Sequence, residues 1–576
     1  MRESQLIEEE AGRGAARPRD PFRNTWLIVG ALTLLALGLR LVTLDRASLW
    51  VDEGCEAQYV SYPLEYCWKA DNNVPPLNRT MLHFWTYIAG TSEFSFRFPS
   101  AFFGTLCIPA LYLLGRQTLG KKVGLTAALL LAISPFALEF SQEARQYPLL
   151  VLLTILATYC FFRIVERPRL SLFMLYALLV AAGLYTFYPF ALVVAGHVIW
   201  YLAAARKSRR TVIGLAYSYL AAGLLYLPWV PTLIGAMRSQ ERHWIQGMWL
   251  QAYQVFQHFG PGFAAYDVGW LLGSISWSPT FIWGREIIFL LGFVVPFLCG
   301  ILSAVRQGRV GLYFPMAFFL PLIFLLALFP IMPLLSPRYF QFALPVYLLL
   351  LSAFLVNFKV PEVRFFTVAC ISTLLALSLI TYYFLPSNGK EDFRSAAALI
   401  TRESSDNDVI VCLPGYMSGG VEYYYKGKCR VLRAVEWDAK DDAAMTGSQS
   451  ATEAASSQAA GGPAPDSGAA KGAPVDLGKI PTMFANKEDY AAAMKALSAD
   501  PTRRLWVVIR GTDRQYSVRY DKFFRRYFPH YRHVRFGGGW GIYVYEYCKS
   551  PFPEETHDAD ASNEKSDATP SPPKTQ

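Results

Sequence analysis

Charge is scarce in this chain. Only 17% of its 576 residues are Asp, Glu, Lys or Arg, where soluble domains carry about a quarter. Histidine is scarcer, with 7 copies. No HExxH or CxxC pair occurs, so the common zinc signatures are missing. No internal repeat is evident, which removes the usual sequence support for a repeat-built transporter. The nine cysteines are scattered. Cys107, Cys160, Cys299 and Cys370 fall in apolar runs and read as small core residues. Cys55 and Cys67 share one polar loop. Cys412, Cys429 and Cys548 lie in a polar C-terminal region, where a disulfide is open but spacing fixes no pairing.

Apolar residues fill the space that charge leaves. They make up 53% of the chain, and mean hydropathy is +0.25. Runs of about 20 apolar residues, the length that spans a bilayer as helix, recur through the first two-thirds. They fall near 25–44, 96–115, 123–140, 148–165, 170–187, 188–205, 211–234, 283–305, 310–329, 341–358 and 364–384, about eleven spans in all. Basic clusters mark alternate connections: Arg13 to Arg23, Lys121-Lys122, Arg167 and Arg169, Arg206 to Arg210, Arg306 and Arg309, Lys359 and Arg364. The positive-inside rule then puts the N-terminus in the cytoplasm and everything after Phe384 outside. The net charge of +10 follows from this topology and calls for no nucleic-acid partner. The first span lacks a small-x-small cleavage site and reads as a signal anchor.

Four regions result. Residues 1–24 form a cytoplasmic tail. Residues 25–384 form the membrane body, with a long outside loop at 45–95. Residues 385–550 form a small α/β domain, with an Ala/Gly/Ser-rich insert at 440–475 expected to be disordered. Residues 551–576 form a second disordered tail. In the α/β domain, 408–412 and 504–509 read as buried strands, Phe393–Arg402 as a helix, and Gly541–Tyr547 as a late edge or hairpin strand. In the outside loop, the aromatic pieces Tyr59–Trp68 and Met81–Tyr87 suit amphipathic interfacial helices. The five aromatic or imidazole groups His243, Trp244, Trp249, Trp270 and Trp277 suit an interfacial belt.

Three charged clusters stand out, each next to the outer end of a span. The first is Trp50-Val51-Asp52-Glu53, followed by Asp71 and Val74-Pro75-Pro76-Leu77. Adjacent carboxylates at such a place are functional candidates. In a partly dry cleft, either could take a proton from a hydroxyl. The second is Ser141-Gln142-Glu143-Ala144-Arg145-Gln146-Tyr147, a short turn bracketed by Pro135 and Pro148. The third is Ser336-Pro337-Arg338-Tyr339, where an arginine fork suits phosphate oxygens. Each has a plain structural reading as well: a turn ion pair, or a snorkelling arginine with an aromatic anchor. Glu93 and Arg97, spaced i,i+4, read as an ion pair at a helix start. His197 reads as a hydrogen-bonded core residue. Asn78-Arg79-Thr80 fits a glycosylation sequon by pattern alone.

The ordered series resembles the membrane-embedded GT-C glycosyltransferases, and more closely the protein O-mannosyltransferases and the aminoarabinose transferase of lipid A. It comprises Arg40-Leu41, Leu49-Trp50-Val51-Asp52-Glu53, Asp71 with Pro75-Pro76-Leu77, and Glu93 with Arg97-Phe98-Pro99-Ser100-Ala101. It continues with Ser134-Pro135-Phe136, the 141–147 turn, Ser336-Pro337-Arg338-Tyr339 and Glu391-Asp392-Phe393-Arg394. Val74 stands where many relatives have histidine, and the large loop insertion of eukaryotic relatives is missing. The resemblance implies an α-helical polytopic fold of the GT-C type with a small C-terminal α/β periplasmic domain. It implies an inverting mannosyltransferase-like enzyme of the bacterial inner membrane, with its active site on the periplasmic side. The donor would be a polyprenyl-phosphate sugar, the acceptor a lipid, glycan or protein, with no nucleotide cofactor and a divalent metal ion left open. Asp52, Glu53 and Glu143 become the catalytic candidates; Asp71, Arg145, Tyr147, Arg338 and Tyr339 become the substrate-binding ones. The rival reading is a transporter or flippase of polyprenyl-linked glycan, which would need charges or broken helices near the bilayer midplane.

Overall fold

The structure, a computed structural model, describes residues 25–69, 74–205, 208–239, 255, 259, 287–328, 336–384, 390–434, 487–510, 523–537 and 541–552. Both expected disordered segments, the N-terminal tail, the 243–277 aromatic loop and Asp71 lie outside the described residues, save Val255 and Phe259 in the loop and Pro551 and Phe552 at the head of the C-terminal tail. The chain forms two compact units. One is Met1–Ala47 with Glu56–Asn388, and the other is Ser48–Cys55 with Gly389–Gln576. The short segment Ser48–Cys55, expected within the membrane body's loop, clusters with the C-terminal unit instead.

In the first unit the helices are α1 Thr25–Leu41, the Glu56–Ser61 part of α2 (Val51–Ser61), α3 Leu64–Lys69, α4 Leu77–Ala89, α5 Glu93–Thr118, α6 Lys121–Ala132, α7 Pro135–Ser141 and α8 Tyr147–Glu166. They continue as α9 Leu170–Thr186, α10 Phe190–Ala204, α11 Arg209–Tyr226, α12 Val230–Ser239, α13 Val295–Val305, α14 Arg309–Leu328, α15 Leu344–Asn357 and α16 Pro361–Phe384. Each apolar run singled out in the sequence falls on an apolar helix. Among the described residues, six helices are long enough to cross a membrane by length and composition, or seven if the bent pair α6–α7 is one span. Thr25–Leu41, Leu170–Thr186, Phe190–Ala204 and Gln341–Asn357 are apolar but shorter.

The α6–α7 break has a local cause. Pro135 cannot donate to the helix before it, and Ser134 caps the new helix by accepting the Ala137 N–H at 3.3 Å. The axis turns by 57°. A break leaves helix carbonyls without N–H partners. Arg40, fully buried on α1, supplies them: Nη1 and Nη2 lie 3.4 Å from the Ala132 and Leu131 carbonyls, and Nε lies 3.2 Å from the Ser141 hydroxyl. A cation at a helix C-terminus also meets the negative end of its dipole. Gly104 on α5 leaves room for this knot. A Cβ there would collide with Ser141 Oγ and sit 3.0 Å from Arg40 Nε.

The end of α1 is clasped just as closely. The Gln142 amide donates to the Leu39, Arg40 and Val42 carbonyls, at 3.3, 3.0 and 2.7 Å. The Tyr383 hydroxyl donates to the Leu39 carbonyl, and Arg97 Nη1 to those of Leu44 and Ala47, at 2.9 and 2.8 Å. These bonds hold a turn in which Thr43, a β-branched residue, takes a φ of 64°. Ser92, which accepts the Ser95 N–H, caps α5 at the start where Glu93 and Arg97 lie. His197 is the core residue expected: its ring nitrogens lie 2.8 Å from Tyr176 and 3.2 Å from Thr158, and its face stacks on Phe161.

The second unit is a five-stranded sheet of β1 Val409–Leu413, β2 Arg430–Arg433, β3 Leu505–Arg510, β4 His530–Phe536 and β5 Ile542–Cys548, in the order β2-β1-β3-β5-β4. β1 pairs parallel with β2 and β3; β5 pairs antiparallel with β3 and β4. Val-Ile-Val-Cys-Leu and Leu-Trp-Val-Val-Ile are buried on both faces, as parallel strands demand. Helices α17 Phe393–Glu403, α18 Ser418–Tyr424 and α19 Lys487–Leu497 complete the unit. The strand expected at Gly541–Tyr547 is β5 and it forms the expected hairpin, but it runs inside the sheet; β4 takes the edge. All nine cysteines are unbridged, so the disulfide left open in the C-terminal region does not form.

Candidate active site

α2 carries the first charged cluster. Asp52 lies half-buried in its first turn. Glu53 is fully buried and accepts the Trp50 N–H at 3.3 Å, a first-turn carboxylate satisfying the helix start. The i,i+4 spacing of a helix puts Glu56 on the same stripe as Asp52. Glu56 is also fully buried.

Within the membrane unit Glu56 is the centre of a buried charge cluster. Arg79, near the start of α4, meets it fork to fork, Nε to Oε2 and Nη2 to Oε1, both at 3.0 Å. Arg145, in the turn before α8, places Nη1 3.1 Å from the same Oε1. The Tyr59 ring lies 4.2 Å beneath the Arg79 guanidinium, a cation–π contact. Two arginines around one carboxylate keep a buried anion satisfied, and bidentate pairing fixes its orientation. Arg145 therefore enters the site already paired with protein, where the sequence suggested an arginine turned to phosphate. Asn78-Arg79-Thr80 sits on a helix with Asn78 and Arg79 buried, which rules out an exposed glycosylation loop.

Glu143, Tyr147, Arg338 and Tyr339 belong to the same unit as Glu56, Asp52 and Glu53 to the other, and Asp71 lies outside the described residues. Glu143 is buried two residues before Arg145, in a tight turn where the Arg145 N–H meets the Glu143 carbonyl at 2.8 Å. The turn is pinned to α5, because Ser100 Oγ donates to the Arg145 carbonyl at 3.0 Å. Gln146 is buried, and neither end of its amide has a hydrogen-bond partner among the described residues. Tyr147 packs edge-on to Phe187 at 6.0 Å, and Phe187 packs on Tyr339 at 5.7 Å. Arg338 lies over the Tyr339 ring at 5.1 Å. So the 141–147 turn and the 336–340 turn, almost 200 residues apart in sequence, meet through one phenylalanine. Sequence reasoning missed Glu56, Arg79 and Phe187. The first two had a signal: a charge four residues after Asp52, and an arginine in a helix with no other Asp, Glu, Lys or Arg.

No group of three or more His, Cys, Asp or Glu residues among the described residues is placed to hold a metal ion. Glu56, the most buried acid of the centre, has its carboxylate between two guanidiniums, which suits no cation. The donor set of the described residues does not fit a metal.

Residues 73–234 match the family described as dolichyl-phosphate-mannose-protein mannosyltransferase. No curated protein matches the chain in sequence. Among solved structures, the chain is similar to ArnT from Cupriavidus metallidurans in the apo state, at TM-score 0.55 and 13% identity over 92% of this chain and 99% of that one. It is also similar to the same organism's ArnT bound to undecaprenyl phosphate, at TM-score 0.52 and 12% identity over 92% of this chain and 100% of that one. The oligosaccharyltransferase of Archaeoglobus fulgidus matches at TM-score 0.47 and 14% identity, over 69% of this chain and 61% of that one. The mannosyltransferase family's model thus matches a segment that includes Arg79 and Arg145, and the chain shares the fold of ArnT along most of its length.

Proposed function

We propose that this chain transfers a sugar from a polyprenyl-phosphate carrier to an acceptor at the periplasmic face of a bacterial inner membrane, with inversion at the anomeric carbon. The observation that carries the reading is the convergence of Glu56, Arg79, Arg145, Tyr147, Phe187 and Tyr339 in the membrane unit. Charges drawn from separate turns gather at one place there, as a site for a charged lipid requires. Alternate basic connections support the orientation. A carrier of this class is the ligand of the similar ArnT structure.

In this reading Asp52 takes the proton of the acceptor hydroxyl as its oxygen attacks the anomeric carbon. The new C–O bond forms while the bond from that carbon to the phosphate oxygen breaks. Polyprenyl phosphate leaves with the electron pair. Arg338 stabilises the departing charge, and the Arg79–Glu56–Arg145 cluster holds the 141–147 turn in place. Glu143 belongs to the acid set of the same turn, and Asp71, Tyr147 and Tyr339 to the substrate-binding set.

The test is Asp52→Asn, which keeps size and removes basicity. Purified variant, supplied with polyprenyl-phosphate mannose, should release polyprenyl phosphate about 100-fold more slowly than wild type. Wild-type turnover would overturn the assignment of the base. For orientation, a periplasm-active reporter fused after Phe384 should be active and one fused after Arg210 silent.

A further inference from the structure

The 141–147 turn of the membrane unit carries one side chain that the resting fold does not explain. Gln146 is 1% exposed, and neither Oε1 nor Nε2 of its amide has a hydrogen-bond partner among the described residues. The groups around it in the chain do have partners. Gln142 directs its amide nitrogen to the end of α1 and accepts the Tyr382 hydroxyl at Oε1. Arg145 places Nη1 on Glu56, and its carbonyl accepts the Ser100 hydroxyl. The Gln146 carbonyl accepts the Leu150 N–H at 3.0 Å, where α8 begins. Only the amide is left over. A buried amide offers two donors and an oxygen with two acceptor sites, and leaving them all unmade is destabilising. An apolar side chain of the same length would pack here without that penalty. Such a group calls for a partner outside the resting fold.

The second turn repeats the pattern. Gln341 opens the short helical turn Gln341–Ala343 that follows Tyr339, and this turn packs against α8. Gln341 is buried, and its Nε2 has no partner among the described residues. Gln146 directly precedes Tyr147, and Gln341 comes two residues after Tyr339. Each of these amides thus lies next to one of the two rings that Phe187 joins.

The orphan atoms set the chemistry of the partner. A phosphate oxygen accepts only, so it would leave Oε1 of Gln146 unmet. A hydroxyl donates once and accepts twice, so neighbouring hydroxyls on one sugar ring can meet both ends of an amide. We propose that Gln146 is a specificity residue for the sugar of the donor: its amide binds neighbouring hydroxyls of a neutral pyranose, and Gln341 Nε2 donates to the same sugar from the other turn. The proposal rests on the reading of the chain as a polyprenyl-phosphate sugar transferase and adds the recognition of the sugar to it. A rotamer change on binding, common where a ligand meets a preformed surface, turns the amide to the ring. A site of this kind discriminates strongly, because a sugar without the matching hydroxyl leaves a buried amide unpaired.

The experiment uses the full chain in nanodiscs, with polyprenyl-phosphate mannose and plain polyprenyl phosphate as separate probes. Gln146→Met keeps the length of the side chain and removes both polar ends. Without ligand it should unfold at or above the wild-type temperature, since no hydrogen bond is lost. Its affinity for polyprenyl-phosphate mannose should fall about 10- to 100-fold, while that for polyprenyl phosphate, which carries no sugar, stays within about twofold. Gln341→Met, with one orphan atom in place of two, should lose about 3- to 10-fold for the mannose lipid alone. Unchanged affinity for the mannose lipid in Gln146→Met overturns the proposal. So does an equal loss for both lipids, which would assign the amide to the carrier and not to the sugar. A lower unfolding temperature in the ligand-free variant also overturns it, because the amide would then have a structural partner. Wild type that binds neither lipid overturns the donor class itself, a failure distinct from all of these.

Discussion

Arg79 and Glu56 are joined by two parallel contacts of 3.0 Å, and Arg145 shares the second oxygen at 3.1 Å. The pair is 23 residues apart in sequence and almost wholly shielded from solvent. Both carboxylate oxygens have partners, and the Arg79 guanidinium is also covered by Tyr59.

Removing one member should therefore destabilise more than the pair itself stabilises. Glu56→Ala leaves two buried guanidiniums around an empty place, and breaking a buried pair in this way costs about 3–5 kcal/mol. Arg79→Lys keeps the charge and loses the fork, so it should cost less than Arg79→Ala but more than a surface change. Thermal unfolding of purified variants in detergent checks the order. A Glu56→Ala protein as stable as wild type would show that the cluster is solvated.

The second prediction concerns the helix break. Arg40→Met keeps the length of the side chain but leaves the Leu131 and Ala132 carbonyls and the Ser141 hydroxyl without their donor. Each buried unsatisfied group costs about 1–3 kcal/mol. Gly104→Ala should act on the same knot by steric force, since its Cβ would displace Ser141 and Arg40 together. Because the two substitutions strike one contact, their effects should fall short of additive in a double-mutant cycle, measured by unfolding. Full additivity would place them in independent sites.

Much of this was legible beforehand, and what was not has physical causes. The apolar runs declared themselves as long apolar stretches, although four of the helices on them are shorter than a span and one run is bent at Pro135. β1 and β3 did so because they are buried on both faces and carry unbroken apolar residues. β2 has only four residues, two of them arginine. β4 reads His-Tyr-Arg-His-Val-Arg-Phe, because an edge strand faces water and needs no apolar stripe. Neither has a pattern to detect. Arg145 was visible as a functional candidate, yet its partner could not be named, because Glu56 lies 89 residues away and no local rule links them. The break at Pro135 could be read from sequence; that Arg40 would satisfy it could not.

The third prediction uses pH. Asp500 accepts from Asn407 Nδ2 at 2.7 Å and from the Thr502 hydroxyl and N–H at 2.7 and 2.9 Å, with Arg503 nearby at 3.7 Å. The Asn407 hydrogen bond first, then those from Thr502, hold its carboxyl down at about 2, below the ordinary 3.8. A folded-state value below the unfolded one stabilises the fold above the unfolded value and ceases to do so as pH falls through the folded one. The C-terminal unit should thus lose this contribution between about pH 4 and pH 2. Calorimetry of the full chain in detergent should show wild type falling more steeply across that window than Asp500→Asn. Parallel curves would mean that the carboxylate's partners do not distinguish its charged form.

The last prediction separates the two arginines of the proposed donor site. Arg145 has Nη1 on Glu56, and Arg338 lies over Tyr339, where Phe187 links it to Tyr147. Their removal should act differently. Arg338→Ala should raise the donor's apparent KM by about 10-fold, the scale of a lost charge-assisted contact, and leave that of the acceptor unchanged. Arg338→Lys should recover part of the loss, since the charge remains and the planar fork does not. Arg145→Ala should instead lower stability, because Glu56 loses a partner, and depress kcat at saturating donor as the turn at Glu143 loosens. The measurement is separate titration of polyprenyl-phosphate mannose and of acceptor for each variant, beside its unfolding curve. A rise confined to the acceptor's KM in Arg338→Ala would move that arginine to the other substrate. No change in either KM, with the protein folded, would leave it as an interfacial anchor at the mouth of its helix.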